Sequence, residues 1–396
     1  MKNNYKNLSN DEFRSIPHAK ILQLILMLFV SLTAYESFGQ GASCATATVL
    51  SVNTEYRTIS SISDATVNDP TAGACNGQTL LSDGWVRFVA TSSEARIVVI
   101  ANNRNLILYG YSGTCASLTQ IGCANVTTVN GTQTETLTLT ALIPGDSYFI
   151  RIGNGGTNTM NINSLVILTN NNCNVANSLT VNSGTTCSTS TVGTTVGATQ
   201  SIAAISCGGF TGNADDDVWY SFVATGTTHI ITATPAATSG IDDIVLELRT
   251  GACNGTNLAC SDSTTGTGTE TITANGLTSG NTYYVRLYNY NNGSGQGGFT
   301  ICVTTPVAPS ITSLSATNGC VGSSLTITGT NLSGATGVTI GGTAATITNN
   351  TATSITVTVG TGTTGNVVVT TAGGTATSGT SFTVNALPAT PTGLSS

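Results

Sequence analysis

The feature that most narrows the choice of fold is an internal repeat. Ser82-Asp-Gly-Trp-Val-Arg-Phe-Val-Ala90 returns as Asp216-Asp-Val-Trp-Tyr-Ser-Phe-Val-Ala224. Tyr111-Ser-Gly-Thr-Cys115, followed by Cys123, returns as Arg249-Thr-Gly-Ala-Cys253, followed by Cys260. The stretch from Leu142-Ile-Pro-Gly-Asp-Ser-Tyr148 to Arg151 returns as Leu277-Thr-Ser-Gly-Asn-Thr-Tyr283 to Arg286. Three matches in one order define two copies of a module, 41–169 and 172–306.

Each copy is a series of short β-branched and aromatic runs, such as Val218 to Ala224, His229 to Thr234 and Tyr283 to Tyr290. Gly, Asn, Asp and Pro punctuate them, which predicts strands and turns. Outside the N-terminal 39 residues no helical period is sustained, so the fold class is all-β, with tandem antiparallel sandwich or jelly-roll modules. Pro306 and Pro309 then mark a change of character. Ser324-Leu-Thr-Ile-Thr-Gly329, Ser354-Ile-Thr-Val-Thr-Val359 and Asn366-Val-Val-Val-Thr370 alternate apolar and Thr residues. That pattern predicts a small immunoglobulin-like sandwich over 307–386. Residues 387–396, Leu-Pro-Ala-Thr-Pro-Thr-Gly-Leu-Ser-Ser, read as a linker toward a further domain.

The N-terminus reads as an export signal over 1–39. Lys2, Lys6, Arg14 and Lys20 precede an apolar run from Ile21 to Val30, and Ser37-Phe-Gly39 supplies small residues before a cut at Gln40. The run is short for a membrane span, so no transmembrane helix is expected in the mature chain. That chain carries 7 Arg, no Lys and 15 acidic residues, a net charge of −8. Nucleic acids and acidic lipid surfaces are poor partners for such a balance. The predicted compartment is the secreted space or the outer cell surface.

Eleven cysteines behind an export signal predict disulfides. Spacing suggests Cys115–Cys123 and Cys253–Cys260 as closures of short loops, Cys187–Cys207 as a pin, Cys173–Cys302 as a clasp and Cys44–Cys75 as the remaining pair. Cys320 is left as a buried free thiol.

Asp217-Val-Trp-Tyr-Ser-Phe222, the Gly251-to-Cys260 loop and Leu277-x-x-Gly-x-x-Tyr-Tyr-Val-Arg286 resemble a β-sandwich repeat of proteins exported by type IX secretion, akin to the bacterial pre-peptidase C-terminal domain. Gly322-Ser-Ser-Leu-Thr-Ile-Thr-Gly-Thr-Asn-Leu332 and Val338-Thr-Ile-Gly-Gly-Thr-Ala344 resemble the IPT/TIG domain. Both resemblances imply binding, adhesion or spacing, with no catalysis.

The residues themselves point the same way. His229, alone in the mature chain, lies within a strand with no Gly-x-Ser-x-Gly turn to accompany it, so a structural role is expected. Asp215, Asp216, Asp217, Asp242 and Asp243 are the acidic set able to attract calcium, since hard cations favour clustered oxygens. Turn capping is the competing role for the same side chains. Glu247 reads as a plain strand residue. Trp85 and Trp219 recur on a buried-looking strand and are expected in the core. Tyr288 and Tyr290, beside Asn291-Asn-Gly-Ser-Gly295, are the candidate ligand-binding surface, because loops at a sandwich's end commonly carry binding. The function expected is a non-enzymatic adhesion or ligand-binding protein facing an extracellular glycan or protein. The alternatives are a structural stalk, or the targeting region of a secreted hydrolase.

Overall fold

The computed structural model describes residues 41–57, 61–62, 75, 80–102, 105–125, 131–155, 159–237, 239–252, 254–264, 266–291, 295–362 and 364–386. The export signal and the segment after 386 lie outside them.

Each repeat is a sandwich of two sheets. In the first module one sheet runs Thr48–Val49, Ser82–Val89, Ser147–Asn154, Leu106–Thr114, Ser117–Ala124, and the other runs Glu55–Arg57, Asn161–Leu168, Glu94–Asn102, Thr132–Thr140. The second module repeats the plan. Asn177–Ser178, Val218–Val223, Thr282–Asn289, Ile244–Thr250, Asn257–Ser261 faces Val181–Ser183, Gly298–Thr305, Thr228–Pro235, Glu270–Asn275, and a fifth strand, Thr191–Thr194, also pairs with Gly298–Thr305. The strands Thr228–Pro235 and Glu270–Asn275 alternate buried with more exposed residues, as strands with one wet face must. Ile244–Thr250 is buried on both faces over most of its length. Its inner side meets Val218, Tyr220 and Phe222 in the inter-sheet core, while its outer side lies under covering loops.

A turn device recurs in both copies. Gly145 and Gly280 take φ of 95° and 87°, a region where glycine avoids the Cβ penalty. Three residues later the Tyr148 hydroxyl accepts the Ile143 N–H, and the Tyr283 hydroxyl accepts the Thr278 N–H, each at 2.9 Å. The same rings lie 5.9 Å from Phe88 and Phe222. The repeated Leu-x-x-Gly-x-x-Tyr motif is therefore a corner that closes the sandwich from within.

Four disulfides among the described residues differ from every pairing that spacing suggested. Cys44 bonds Cys115, Cys75 bonds Cys123, Cys187 bonds Cys302, and Cys207 bonds Cys260. Cys173 is also oxidised, though not to Cys302, and Cys253 lies outside the described residues. The reason is geometric. Cys44, Cys75 and Cys207 pack on the outer face of a five-stranded sheet, and their partners are on or next to that sheet's last hairpin. The bonds staple cover to sheet instead of closing local loops. Cys320 is free and exposed, not buried, because its short strand Asn318–Cys320 ends an eight-stranded arrangement, pairing only with Gly374–Asn385.

That arrangement is the third module, Ser310 to Asn385, whose core holds Leu325, Ile327, Ile355, Val357, Val367, Val369 and Phe382. The first two modules are joined more tightly. Val98, Val166 and Leu168 of the first share one apolar cluster with Leu179, Val196 and Ala198 of the second. Arg96 Nε donates to the Gly197 carbonyl at 2.8 Å, and Asn172 Nδ2 to Glu94 Oε1 at 2.6 Å. No helix among the described residues is long and apolar enough to cross a membrane.

Candidate functional site at the loop end of the second module

In each module the outer face of the sheet that holds Trp85 or Trp219 carries a buried layer of charge. Strand alternation sends Val218, Tyr220 and Phe222 inward and Trp219 outward. Trp219 and its counterpart Trp85 are fully buried, as expected, but in this second layer and not between the sheets. Arg286, directly opposite Trp219 in the register, is fully buried beside it, its guanidinium carbon 5.6 Å from the indole centroid. Arg286 Nε donates to Asp217 Oδ2 at 2.7 Å, and Nη1 donates to Glu247 Oε1 at 3.0 Å. The carbonyls of Ile202 and Ala203 accept its remaining donors from the covering loop. Glu247 in turn accepts Arg249 through Oε2, at 2.9 and 2.7 Å. Buried guanidinium needs such a set of acceptors, since transfer from water costs several kcal/mol per ion.

Glu247 is thus no plain strand residue; it is the second counter-ion of Arg286. The first module keeps the frame with different filling. Arg151 pairs with Asp83 and lies 5.3 Å from the Trp85 centroid, but Tyr109 stands opposite it where the second module has Glu247. Gly153 stands where the second module has Tyr288. The Tyr-x-x-Arg recurrence in both copies is the signal that marks Arg151 and Arg286; nothing local marks Glu247.

Tyr288 is fully buried, with Arg286 4.8 Å from its ring centroid, and burial raises its hydroxyl pKa. It is therefore a wall of the charge layer and not a ligand-facing side chain. Tyr290 is half-buried and keeps a place at the surface. Two residues separate their exposures because the strand Thr282–Asn289 ends between them.

The acidic residues are spread, not gathered. Asp217 belongs to Arg286, and also accepts the Ser201 N–H at 3.0 Å and the Ser201 hydroxyl at 2.7 Å. Asp216 is buried and accepts the Asn289 N–H at 3.0 Å. Burial raises its pKa to about 7, with Asp215 and Asp217 adding to the rise. Asn289 Oδ1 accepts the Asp242 and Asp243 N–H groups at 3.3 and 3.0 Å, which ties the two acidic loops together. Asp242, exposed, accepts Asn291 Nδ2 at 3.1 Å. Asp243 is pushed up to about 6 by burial and by Asp262, Asp242 and Glu270. Among the described residues no three His, Cys, Asp or Glu side chains are grouped closely enough to hold a metal ion. Of the five aspartates expected around calcium, Asp217 is a buried counter-ion, and Asp216 and Asp242 accept from Asn289 and Asn291. Glu270 is held differently again. Burial works to raise its pKa, but its carboxylate accepts the Ser261, Ser263 and Thr264 hydroxyls and the Ser263 and Thr264 N–H groups, and the net shift is down.

His229 is fully buried in a strand, 5.3 Å from the Phe222 ring, and its Nε2 accepts the Thr225 N–H at 3.2 Å. It is a structural histidine that caps a turn.

The loops bearing Asp216, Asp243 and Tyr290 meet at one end of the second module, opposite the Thr225 turn. The Tyr290 N–H donates to the Asp243 carbonyl and the Asn213 N–H to the Tyr290 carbonyl, each at 2.8 Å. A small hairpin, Ser206–Cys207 with Phe210–Thr211, stands over them. Its ring, Phe210, went unnoticed in sequence, although Cys207-Gly-Gly-Phe210 is a hairpin signal.

The galactose binding domain-like profile of T9SS-associated proteins matches residues 41–167 and again 169–301. The chain belongs to that family. An IPT/TIG domain follows over 309–384, so both expected module types are present. Among solved structures, the pre-peptidase C-terminal domain of collagenase from Bacillus anthracis is 19% identical, over 32% of this chain and 93% of that one, at a TM-score of 0.21. A gamma-CGTase from alkalophilic Bacillus clarkii is 13% identical over 43% of this chain and 24% of that one, at 0.19. The plexin A4 extracellular region is 12% identical over 75% of this chain and 33% of that one, at 0.24. The sequence matches no curated protein. The matched families are binding or structural modules, and T9SS association with disulfides makes this an extracellular or cell-surface protein.

Proposed function

We propose that the protein is a non-catalytic adhesion or ligand-recognition protein, secreted or displayed on the outer surface. The loop end of the second module would face an extracellular glycan or protein. One observation carries this reading: Phe210 is 63% exposed at the tip of a hairpin pinned by Cys207–Cys260, where loops on a rigid scaffold usually hold ligands. Binding of the mature chain to a panel of polysaccharides and immobilised extracellular proteins tests it, run with calcium and again with EDTA. Binding above a reduced and denatured control supports recognition, and loss in EDTA would restore calcium as a participant. A blank panel in both arms overturns recognition in favour of the stalk reading. That alternative draws on the shared apolar cluster between the first two modules and on the absence of any charged residue after Arg286. Appended targeting of a hydrolase is the third reading, tested by a catalytic partner domain in the natural gene.

A further inference from the structure

Phe210 is the most exposed large apolar side chain among the described residues. An isolated apolar residue at a surface is ordinary; the mounting of this one is not. Gly208 and Gly209 take φ of 61° and 93°, the two positive values that a two-residue hairpin turn requires. Cys207, the cross-strand partner of Phe210, is bonded to Cys260. Two residues on, a Cβ at Gly212 would fall 2.8 Å from Tyr290 Cδ2. Side chains two apart along extended chain share a face, so Phe210 and Tyr290 flank one surface.

The field around that surface has one sign. Asp242 and Asp262 retain solvent exposure; Asp242 accepts Asn291 Nδ2 beside Tyr290, and a Cβ on Gly208 would stand 3.8 Å from the Asp262 carbonyl oxygen. The module's described arginines, Arg249 and Arg286, are buried and engaged with Glu247 and Asp217. A neutral sugar would gain the ring face and leave the carboxylates repelling one another. An anionic one would be repelled. A cation gains both the ring quadrupole and the charge.

We propose that the surface flanked by Phe210 and Tyr290 receives a lysine- or arginine-bearing segment of a partner protein, its cationic head over Phe210 and its charge facing Asp242 and Asp262. This rests on the recognition reading above and narrows it to a basic protein segment.

The test is fluorescence anisotropy of the mature chain with a labelled arginine-rich peptide, a glutamate-rich peptide and a neutral galactan, at low and physiological salt. The Arg peptide should bind, more weakly at higher salt. Phe210→Ala should weaken it about three-fold, on the scale of an exposed cation–π contact, and Phe210→Trp should restore it. Asp242→Asn with Asp262→Asn should weaken it without altering the melting temperature. Equal binding by wild type and Phe210→Ala overturns the site, since plain attraction to an acidic protein would give that result. Phe210-dependent binding of the galactan in place of the peptide overturns the basic-segment assignment. If the wider panel still shows binding in either case, the recognition reading stands without this site.

Discussion

Arg286 and Arg151 keep guanidinium groups buried on the outer face of a sheet by giving each a carboxylate, an indole face and a covering layer. Removing one partner of such a set leaves the others charged and unpaired. Arg286→Met should therefore cost roughly 3–5 kcal/mol in urea unfolding of the second module. A loss under 1 kcal/mol, about that of an exposed pair, would show that the network contributes little. Asp216 supplies a second residue-scale test. Its pKa rises from 3.8 to about 7 in the folded chain. Between those values the native state holds a proton that the unfolded state has lost, so stability falls as pH rises through the window. Asp216→Asn keeps an acceptor for the Asn289 N–H and removes the titration. Its melting temperature should change less than wild type's between about pH 4 and 7, and equal pH dependence in both would contradict the assignment.

Among elements, the covering segments decide the chemistry. Sequence spacing favours local pairs, because a short loop is the simplest closure to imagine. The fold brings distant cysteines together across the outer faces of the sheets, Cys44, Cys75 and Cys207 over the Trp-bearing ones and Cys187 at Gly298–Thr305 of the facing one. Cys187–Cys302 spans 115 positions, and closing a loop near that length is worth about 4–5 kcal/mol on the chain-entropy model. Peptide mapping of the unreduced protein should recover Cys44–Cys115, Cys75–Cys123, Cys187–Cys302 and Cys207–Cys260. Reductant should lower the melting temperature of the first two modules and leave the third, which holds only the free Cys320. Loss of equal size in the third module would contradict this distribution. The Leu-x-x-Gly-x-x-Tyr corner, by contrast, was legible as a repeat, since its parts are contiguous in the chain.

Taken whole, the molecule has a two-module body followed by a third sandwich. Gly197 sits at the junction with φ of 75°, where a Cβ would lie 2.9 Å from Val98 Cγ2. Gly197→Val should cost roughly 1–3 kcal/mol through backbone strain and the clash. In calorimetry the wild-type pair should unfold as one transition, and the variant should split it. Two wild-type transitions for the first two modules would show that the shared cluster does not couple them. Sequence by itself determined the all-β class, the repeat, the third sandwich and the buried tryptophans, because period-two patterning and turn residues act over a few neighbours. It also marked His229 as structural and Tyr290 as a surface ring. Tertiary structure alone decided which cysteines meet, that Tyr288 and Glu247 face a buried arginine, that Asp216, Asp217 and Asp242 serve separate partners, and that Phe210 stands free. Those outcomes depend on which loop covers which sheet face, a contact between segments tens of residues apart that no local pattern encodes.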